Sequence, residues 1–548
     1  MTKICKEKIS EFDIDDAVFA INETLLNCKD NEEIVFEKAQ YDIHTLYAKQ
    51  EFCFISNNDY GLKNLAFPLF NKKNITIDGA GSKLNCIGRI LPFYMTNCEN
   101  ITIKNFEIDY QRPFFSQGEI METADNYAVF NIDKNIYPYE IFNGLVRFTG
   151  EEYDSLYVHG LLEFDKNDRR PIPNVFDNSP CCSIRGEETE AGYLKVFFDW
   201  EFKPTVGNIM TIKHEERYCP AIAVDKCKNI KFENITIRNA GTMGVVAQFS
   251  ENISLDKVDI FPDPKTDKVM SINADATHFV NCTGTVLVEN SRLESMLDDI
   301  INVHGNYFRV SHIINNKNII VEIPHFQQVG AYGIKDGAKI LICNKNTMLG
   351  IAENRILRTK VINNKYYNVE LKTEFDFDPN TEYCIDDIDA YPEVIFRNNV
   401  CGFNRARGLL LTSSKTMLVE NNVIDSEGSA VKANGDMHNW YESTNLSKLI
   451  IRGNKLRRRN QINWGLALID IDPGMKKQVE GEYFHGDIII ENNECILDET
   501  PLFMGYSFNS VEIKNNKIID LSGKIKSDKD LTIDCSNCGK VFIENNIY

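Results

Sequence analysis

The sequence predicts an all-β protein: a right-handed parallel β-helix carrying two inserted antiparallel β-barrel or sandwich modules. Three observations lead there. A short phrase recurs along the chain, an apolar/polar alternation closed by Asn or Asn-Asn. Its copies recur with a period in the low twenties. Two long stretches break the phrase and read as longer strands joined by turns. Period-2 alternation means short strands. Asn tolerates the left-handed backbone and hydrogen-bonds to its own backbone, which suits a sharp corner. Short strands, Asn corners and this period together describe one coil of a parallel β-helix. The fixed leucine pattern of a leucine-rich repeat is missing, and no long stretch has helical periodicity.

The elements follow in order. Residues 1–112 are N-terminal coils, with the phrase at Asn100-Ile101-Thr102-Ile103-Lys104-Asn105. Residues 113–217 are the first inserted module, with strands such as Gly144-Leu145-Val146-Arg147-Phe148 and Leu194-Lys195-Val196-Phe197-Phe198. Residues 218–305 return to coils, at Asn229-Ile230-Lys231-Phe232-Glu233-Asn234 and Val288-Glu289-Asn290. Residues 306–391 are the second module, with Asn318-Ile319-Ile320-Val321-Glu322-Ile323. Residues 392–548 are C-terminal coils: Asn399 and Asn422 are 23 positions apart (422 − 399), as are Asn493 and Asn516 (516 − 493). Insertions in a solenoid leave from loops, often on the binding face.

At 548 residues the chain is too long for one compact core, and an elongated repeat grows its core along an axis. A formal net charge of -20 repels phosphate backbones and argues against nucleic-acid binding. It also disfavours polyanionic substrates such as pectate. No stretch approaches the ~20 apolar residues that span a bilayer. No apolar run follows Met1-Thr2-Lys3-Ile4-Cys5-Lys6-Glu7-Lys8, so no signal peptide is visible. That places the protein in the cytoplasm if the chain is complete, and in the periplasm or outside the cell otherwise. The 16 cysteines are scattered through strand-like contexts and read as reduced packing residues. Cys535 and Cys538 form a lone C-x-x-C without the partners of a zinc site. Coil ends and inserted modules offer surfaces for a homo-oligomer, though no interface is legible.

The chemistry concentrates in Asn273-Ala274-Asp275-Ala276-Thr277-His278-Phe279 and Met296-Leu297-Asp298-Asp299-Ile300-Ile301-Asn302-Val303-His304-Gly305. Asp275 and Asp298 are 23 positions apart, one repeat, so Asp275 is expected in register beside the Asp298-Asp299 pair, ~4.8 Å away. Neighbouring strand residues point to opposite faces, so both members of the pair reach one cleft only if the backbone bends there. Clustered carboxylates raise at least one pKa, which is what glycoside hydrolysis needs. A calcium site or plain turn aspartates are the competing readings.

A sugar pocket also needs an aromatic platform and hydrogen-bonding groups. Trp440 is the platform candidate, in a turn-like segment with Glu442 and Asp436, which could accept from hydroxyls. His304 and Asn302 alternate and should share a face. Arg407 is a candidate cleft residue, while His278 reads as structural; Asp109 and Arg112 lie at the entry to the first insertion and could equally be pocket or turn residues. Arg457-Arg458-Arg459 reads as a solvated loop.

These residues resemble glycoside hydrolase family 110, the α-1,3-galactosidases that remove terminal galactose from blood-group-B-type structures. The resemblance covers most of the chain. It runs through Ile108-Asp109-Tyr110, Gly241-Thr242-Met243-Gly244, both Asp segments, Arg405-Ala406-Arg407-Gly408 and Gly435-Asp436-Met437-His438-Asn439-Trp440-Tyr441-Glu442-Ser443. It implies an inverting galactosidase with inserted barrels and no cofactor or metal, acting on glycans with terminal α-galactose through Asp275, Asp298 and Asp299. Polygalacturonases carry a similar trio, in which the first Asp of the pair is the acid. That analogy assigns Asp298 as acid, with Asp275 and Asp299 as base. The Gly-His-Gly and Arg-Ile-Lys segments of those enzymes are absent, which favours a neutral sugar. Alternatives are a β-helix glycosidase on another neutral glycan, a carbohydrate-binding adhesin without turnover, and a polysaccharide lyase.

Overall fold

The computed structural model describes residues 2–4, 16–173, 177–215, 217–331, 334–459, 464–497, 500–524 and 533–547. Most of the N-terminal segment in which a leader was sought lies outside them. The spine is a stack of parallel coils. On one face lie β1 (Ile222–Asp225), β2 (Val245–Gln248), β3 (Thr277–Val280), β4 (Ile301–Asn306), β5 (Leu409–Leu411), β6 (Val431–Ala433), β7 (Glu442–Ser443) and β8 (Ile469–Ile471). Except for β7, each pairs in parallel with the next. The short β7 instead runs antiparallel to the end of β4. The register sets a column of side chains along this face: Val246, His278, Asn302, Leu410, Lys432 and Asp470.

The other faces merge into one 20-stranded sheet, because strands such as Lys228–Ile237 turn a corner without ending. Asn234 makes that corner at φ 52°, and Asn100, Asn105, Asn229, Asn398, Asn421, Asn492 and Asn515 hold the same conformation. The second Asn of each pair turns inward. The backbone N–H of Asn399 donates to Asn422 Oδ1, Asn422 to Asn454, Asn454 to Asn493 and Asn493 to Asn516, each at 2.9 Å. A corner that would bury unpaired backbone groups is thereby satisfied coil by coil. Inward residues such as Ile230, Phe232, Ile253 and Leu255 form one continuous core. The helix α1 (Ala17–Asn27) packs its buried face into that core, its N-terminus capped by Asp16, which accepts from Val18 N–H at 2.9 Å.

Both insertions are antiparallel. Between Phe115 and Lys213, nine strands form one sheet. Its root is fixed by Arg112, whose guanidinium is buried and donates to the carbonyls of Thr149, Pro113 and Phe115. Arg112 thus sits at the bend that enters the insertion and anchors it there. Between Phe308 and Asp387, six strands close into a barrel with its own core. Two further expectations change. Arg458 is buried against the Gly465 carbonyl, and Arg459 pairs twice with Asp425 at 2.9 Å, so this basic run is no solvated loop. The expected 23-residue register at the aspartates is also displaced. Thr277 lies opposite Ile301 and His278 opposite Asn302, a step of 24. The same coil carries one extra residue near Gly284 (φ 65°), where pairing shifts against the coil before it. Asp275 thus has Asp299, not Asp298, as its neighbour in register.

Candidate active site

Asp298 and Asp299 occupy a bend just before β4, and Asp275 a matching bend before β3. Ser295, at φ 63°, begins the turn, so both members of the pair escape the alternation of a strand. The Ala276 N–H donates to the Asp299 carbonyl at 2.9 Å and ties the two bends together. One oxygen from each of the three carboxylates lies within 4.8 Å of the others. A cation could bridge such a cluster, but Arg217 and Arg407 already bring two positive charges to it.

Each carboxylate has a different partner. Arg407 grips Asp299 at two points, Nε to Oδ1 at 2.9 Å and NH2 to Oδ2 at 2.8 Å, while its backbone N–H adds a third bond at 3.1 Å. Burial holds the Asp299 carboxyl well above the usual carboxylate range, with Arg407 offsetting part of that rise. The fork-to-fork contact favours the ionised pair. Arg217 donates to Asp298 Oδ2 at 3.2 Å, and Asp298 is the most accessible of the three. Asp275 is buried against His278, with Nδ1 2.5 Å from Oδ2. Burial, reinforced by the charge of Asp298, holds the Asp275 carboxyl well above the usual range. Burial lowers His278 to about 4.

The aspartates line a cleft of about 510 Å³, a usual size for a small-ligand site (~300–1,000 Å³). Its other walls come from chain segments far apart: Asn57, Arg217, Asn302, Arg407, Lys432, Trp440, Glu442 and Trp464. Glu442 is buried and receives Asn57 Nδ2 at 3.1 Å, with His304 Nε2 at 3.5 Å. Burial would raise this carboxyl, but His304, His278, Arg407 and an Asn302 hydrogen bond together hold it below its ordinary value. Asn302 Oδ1 is buried and without a partner, an acceptor left for a ligand hydroxyl. Asp436 lines the cleft, but its carboxylate accepts backbone N–H groups from His438, Asn439, Trp440 and Tyr441. It shapes the loop that presents Trp440.

Trp440 stands at the rim, 39% exposed, with its ring 4.1 Å from that of His325. His325 belongs to the second insertion, beside the exposed Phe326. The following turn is pinned to the β-helix: Asn57 N–H donates to the Gln327 carbonyl at 3.0 Å, and Gln327 Nε2 to Asp59 at 3.0 Å. Asn57, Arg217, His325 and Trp464 carry no sequence signal, because only the coil stack and the insertion bring them to the cleft. His278, read as structural from the sequence, touches Asp275 directly.

A coil stack bearing a carboxylate-lined cleft, with an aromatic rim, defines a carbohydrate-active β-helix protein of the glycoside hydrolase kind. Residues 116–210 match the family model described as GLAA-B beta-barrel domain I. The chain is 33% identical to alpha-1,3-galactosidase A of Shewanella woodyi, over 93% of this chain and 84% of that protein. It is 28% identical to alpha-1,3-galactosidase B of Bacteroides thetaiotaomicron, over 97% and 88%. The chain belongs to the alpha-1,3-galactosidase family. Among solved structures, an exopolygalacturonase from Thermotoga maritima aligns over 100% of this chain and 92% of its own, at 9% identity and a TM-score of 0.35, too loose to relate individual residues. Among the described residues no helix is long and apolar enough to cross a membrane.

Proposed function

We propose that this protein is an exo-acting, inverting α-1,3-galactosidase of glycoside hydrolase family 110, removing terminal α-1,3-linked galactose from linear or blood-group-B-like glycans. The observation that carries the reading is the meeting of Asp275, Asp298 and Asp299 in one cleft of a chain from the alpha-1,3-galactosidase family. Asp298, on the open side, is the acid that protonates the departing oxygen. Asp275 and Asp299, deeper in the cleft, hold the attacking water. Glu442 and Asn302 face galactose hydroxyls and Trp440 an apolar sugar face, while His304, expected beside them, lies behind the cleft with both ring nitrogens engaged by Gly305 and His278. No cofactor is invoked.

A retaining mechanism is the second reading. The carboxylate oxygens lie within 4.8 Å of one another, closer than the ~6.5–9.5 Å usual for an inverting pair. With three carboxylates, however, two can clamp the water without the wide gap that a pair requires. Proton NMR during hydrolysis of Galα1-3Gal separates the readings: inversion gives β-galactose first, and early α-galactose establishes retention. Asp298→Asn should lower kcat by about 100- to 10,000-fold. No galactose release by the wild type from the linear disaccharide or its fucosylated B-type counterpart would reject the function, whereas an active Asp298→Asn variant would reject only the acid assignment.

A further inference from the structure

A chain of short contacts runs inward from Asp275, and its hydrogen atoms can be counted. His304 Nδ1 lies 2.6 Å from the Gly305 carbonyl, which can only accept, so His304 Nδ1 carries a hydrogen. His304 Nε2 and His278 Nε2 are 2.9 Å apart. Two lone pairs at that distance repel, so one hydrogen lies between them. His278 Nδ1 and Asp275 Oδ2 are 2.5 Å apart and share another. With these three hydrogens Asp275, His278 and His304 form a unit of zero net charge. All three side chains are buried. Glu442 Oε1 lies 3.5 Å from His304 Nε2, close enough to offset a positive charge on the histidines.

We propose, on the reading above that Asp275 is part of the base, that His278 and His304 are positioning residues that take up the proton Asp275 removes from water. The water oxygen bonds to the anomeric carbon as the glycosidic C–O bond breaks and Asp298 gives its proton to the departing oxygen; the water O–H bond breaks and that hydrogen joins Asp275 Oδ1. The hydrogen on Asp275 Oδ2 passes to His278 Nδ1, and the one on His278 Nε2 passes to His304 Nε2. Asp275 is left neutral and the histidine pair gains one positive charge beside Glu442; nothing is oxidised or reduced. The charged groups facing this unit are Asp298 and Asp299 from the bend before β4, Arg217 from the segment before β1, Arg407 from the loop before β5, and Glu442 on β7. Burial raises Asp275 and lowers both histidines, so at rest the hydrogens sit as in the neutral form. A buried carboxyl alone would make a poor base at mildly acidic pH, and the histidine pair removes that handicap.

The test is the pH profile of kcat/KM for the wild type, His278→Gln and His304→Gln. Gln keeps a hydrogen-bonding group at position 278 but cannot take up a proton. In His278→Gln, Asp275 must ionise unaided at its raised pKa, so the acid limb should move to higher pH by about one unit or more. Activity should recover towards wild type as pH rises. His304→Gln should shift the limb the same way by less. Loss of equal size at every pH, with the limb unmoved, overturns the proposal. If His278→Gln does not fold, His304→Gln decides by the same criterion. Proton and ¹⁵N NMR of the wild-type imidazoles reads the chain independently of turnover: a strongly downfield proton shared by the two Nε2 atoms is expected, and two ordinary solvent-exchanging imidazoles would overturn it. An inactive wild type that shows this resonance would discredit the galactosidase reading and leave the hydrogen chain standing.

Discussion

Two columns run along the coil stack, and they use the same spacing for opposite ends. At the inner corner, Asn399, Asn422, Asn454, Asn493 and Asn516 repeat one residue, and each satisfies the next at 2.9 Å. On the cleft face, Val246, His278, Asn302, Leu410, Lys432 and Asp470 occupy equivalent steps with unlike side chains. Like groups in register make a ladder that needs no outside partner. Unlike groups in register do not close on themselves throughout: Lys432 and Asp470 pair at 3.1 Å, but Asn302 Oδ1 is left without a protein partner, and such an open acceptor is what a ligand can use. The contrast teaches that repetition builds the scaffold and departure from repetition builds the site.

Three substitutions sharpen the contrast. The largest effect is expected on the cleft side, at Arg407→Met. It leaves Asp299 buried without its cation, and breaking such a pair costs about 3–5 kcal/mol. Chemical denaturation should show that loss, and galactose release should collapse with it; a variant of wild-type stability would mean that Asp299 is protonated and needs no partner. Next comes the ladder. Asn454→Ala removes an acceptor for Asn422 N–H and a donor to the Val419 carbonyl. Stability should fall by about 1–3 kcal/mol, with kcat of the folded protein unchanged. A fall in kcat instead would mean that the ladder transmits geometry to the cleft. The smallest effect is expected at the rim. Trp440→Ala removes an exposed platform worth ~1 kcal/mol, so KM should rise several-fold with little change in kcat. An unchanged KM would assign Trp440 to packing against His325.

The ladder was the more legible of the two columns. Asn at a left-handed corner is a local requirement, so it shows in the sequence wherever the corner occurs. Asn454 is the hardest rung to read, because Gly453 (φ 66°) replaces the first Asn of its pair. The aspartate trio was legible as residue types, since Asp275 and Asp298-Asp299 fall about one coil apart. Its register was not: one extra residue near Gly284 changes which carboxylate stands beside Asp275. The pocket walls were legible only in part. Trp440 and Glu442 stood out in their own segment, whereas Asn57, Arg217 and Trp464 become neighbours only after several coils have stacked.

The turn that carries His325 and Gln327 has a consequence for how this protein can diversify. The three aspartates proposed as acid and base sit on the coil stack, where a shift in one layer is felt by the layers above and below. The side of the cleft at His325 is partly the rim of a closed barrel with its own core, joined to the rest by hydrogen bonds at Asn57 and Asp59 and by the packing of Cys343, Met348 and Cys384 against Met437, Tyr441 and Phe484. On the proposed function, selection on that rim is expected to alter which glycan is admitted while the aspartate bends stay untouched. On that reading, chemistry and choice of customer are inherited on separate parts of one chain.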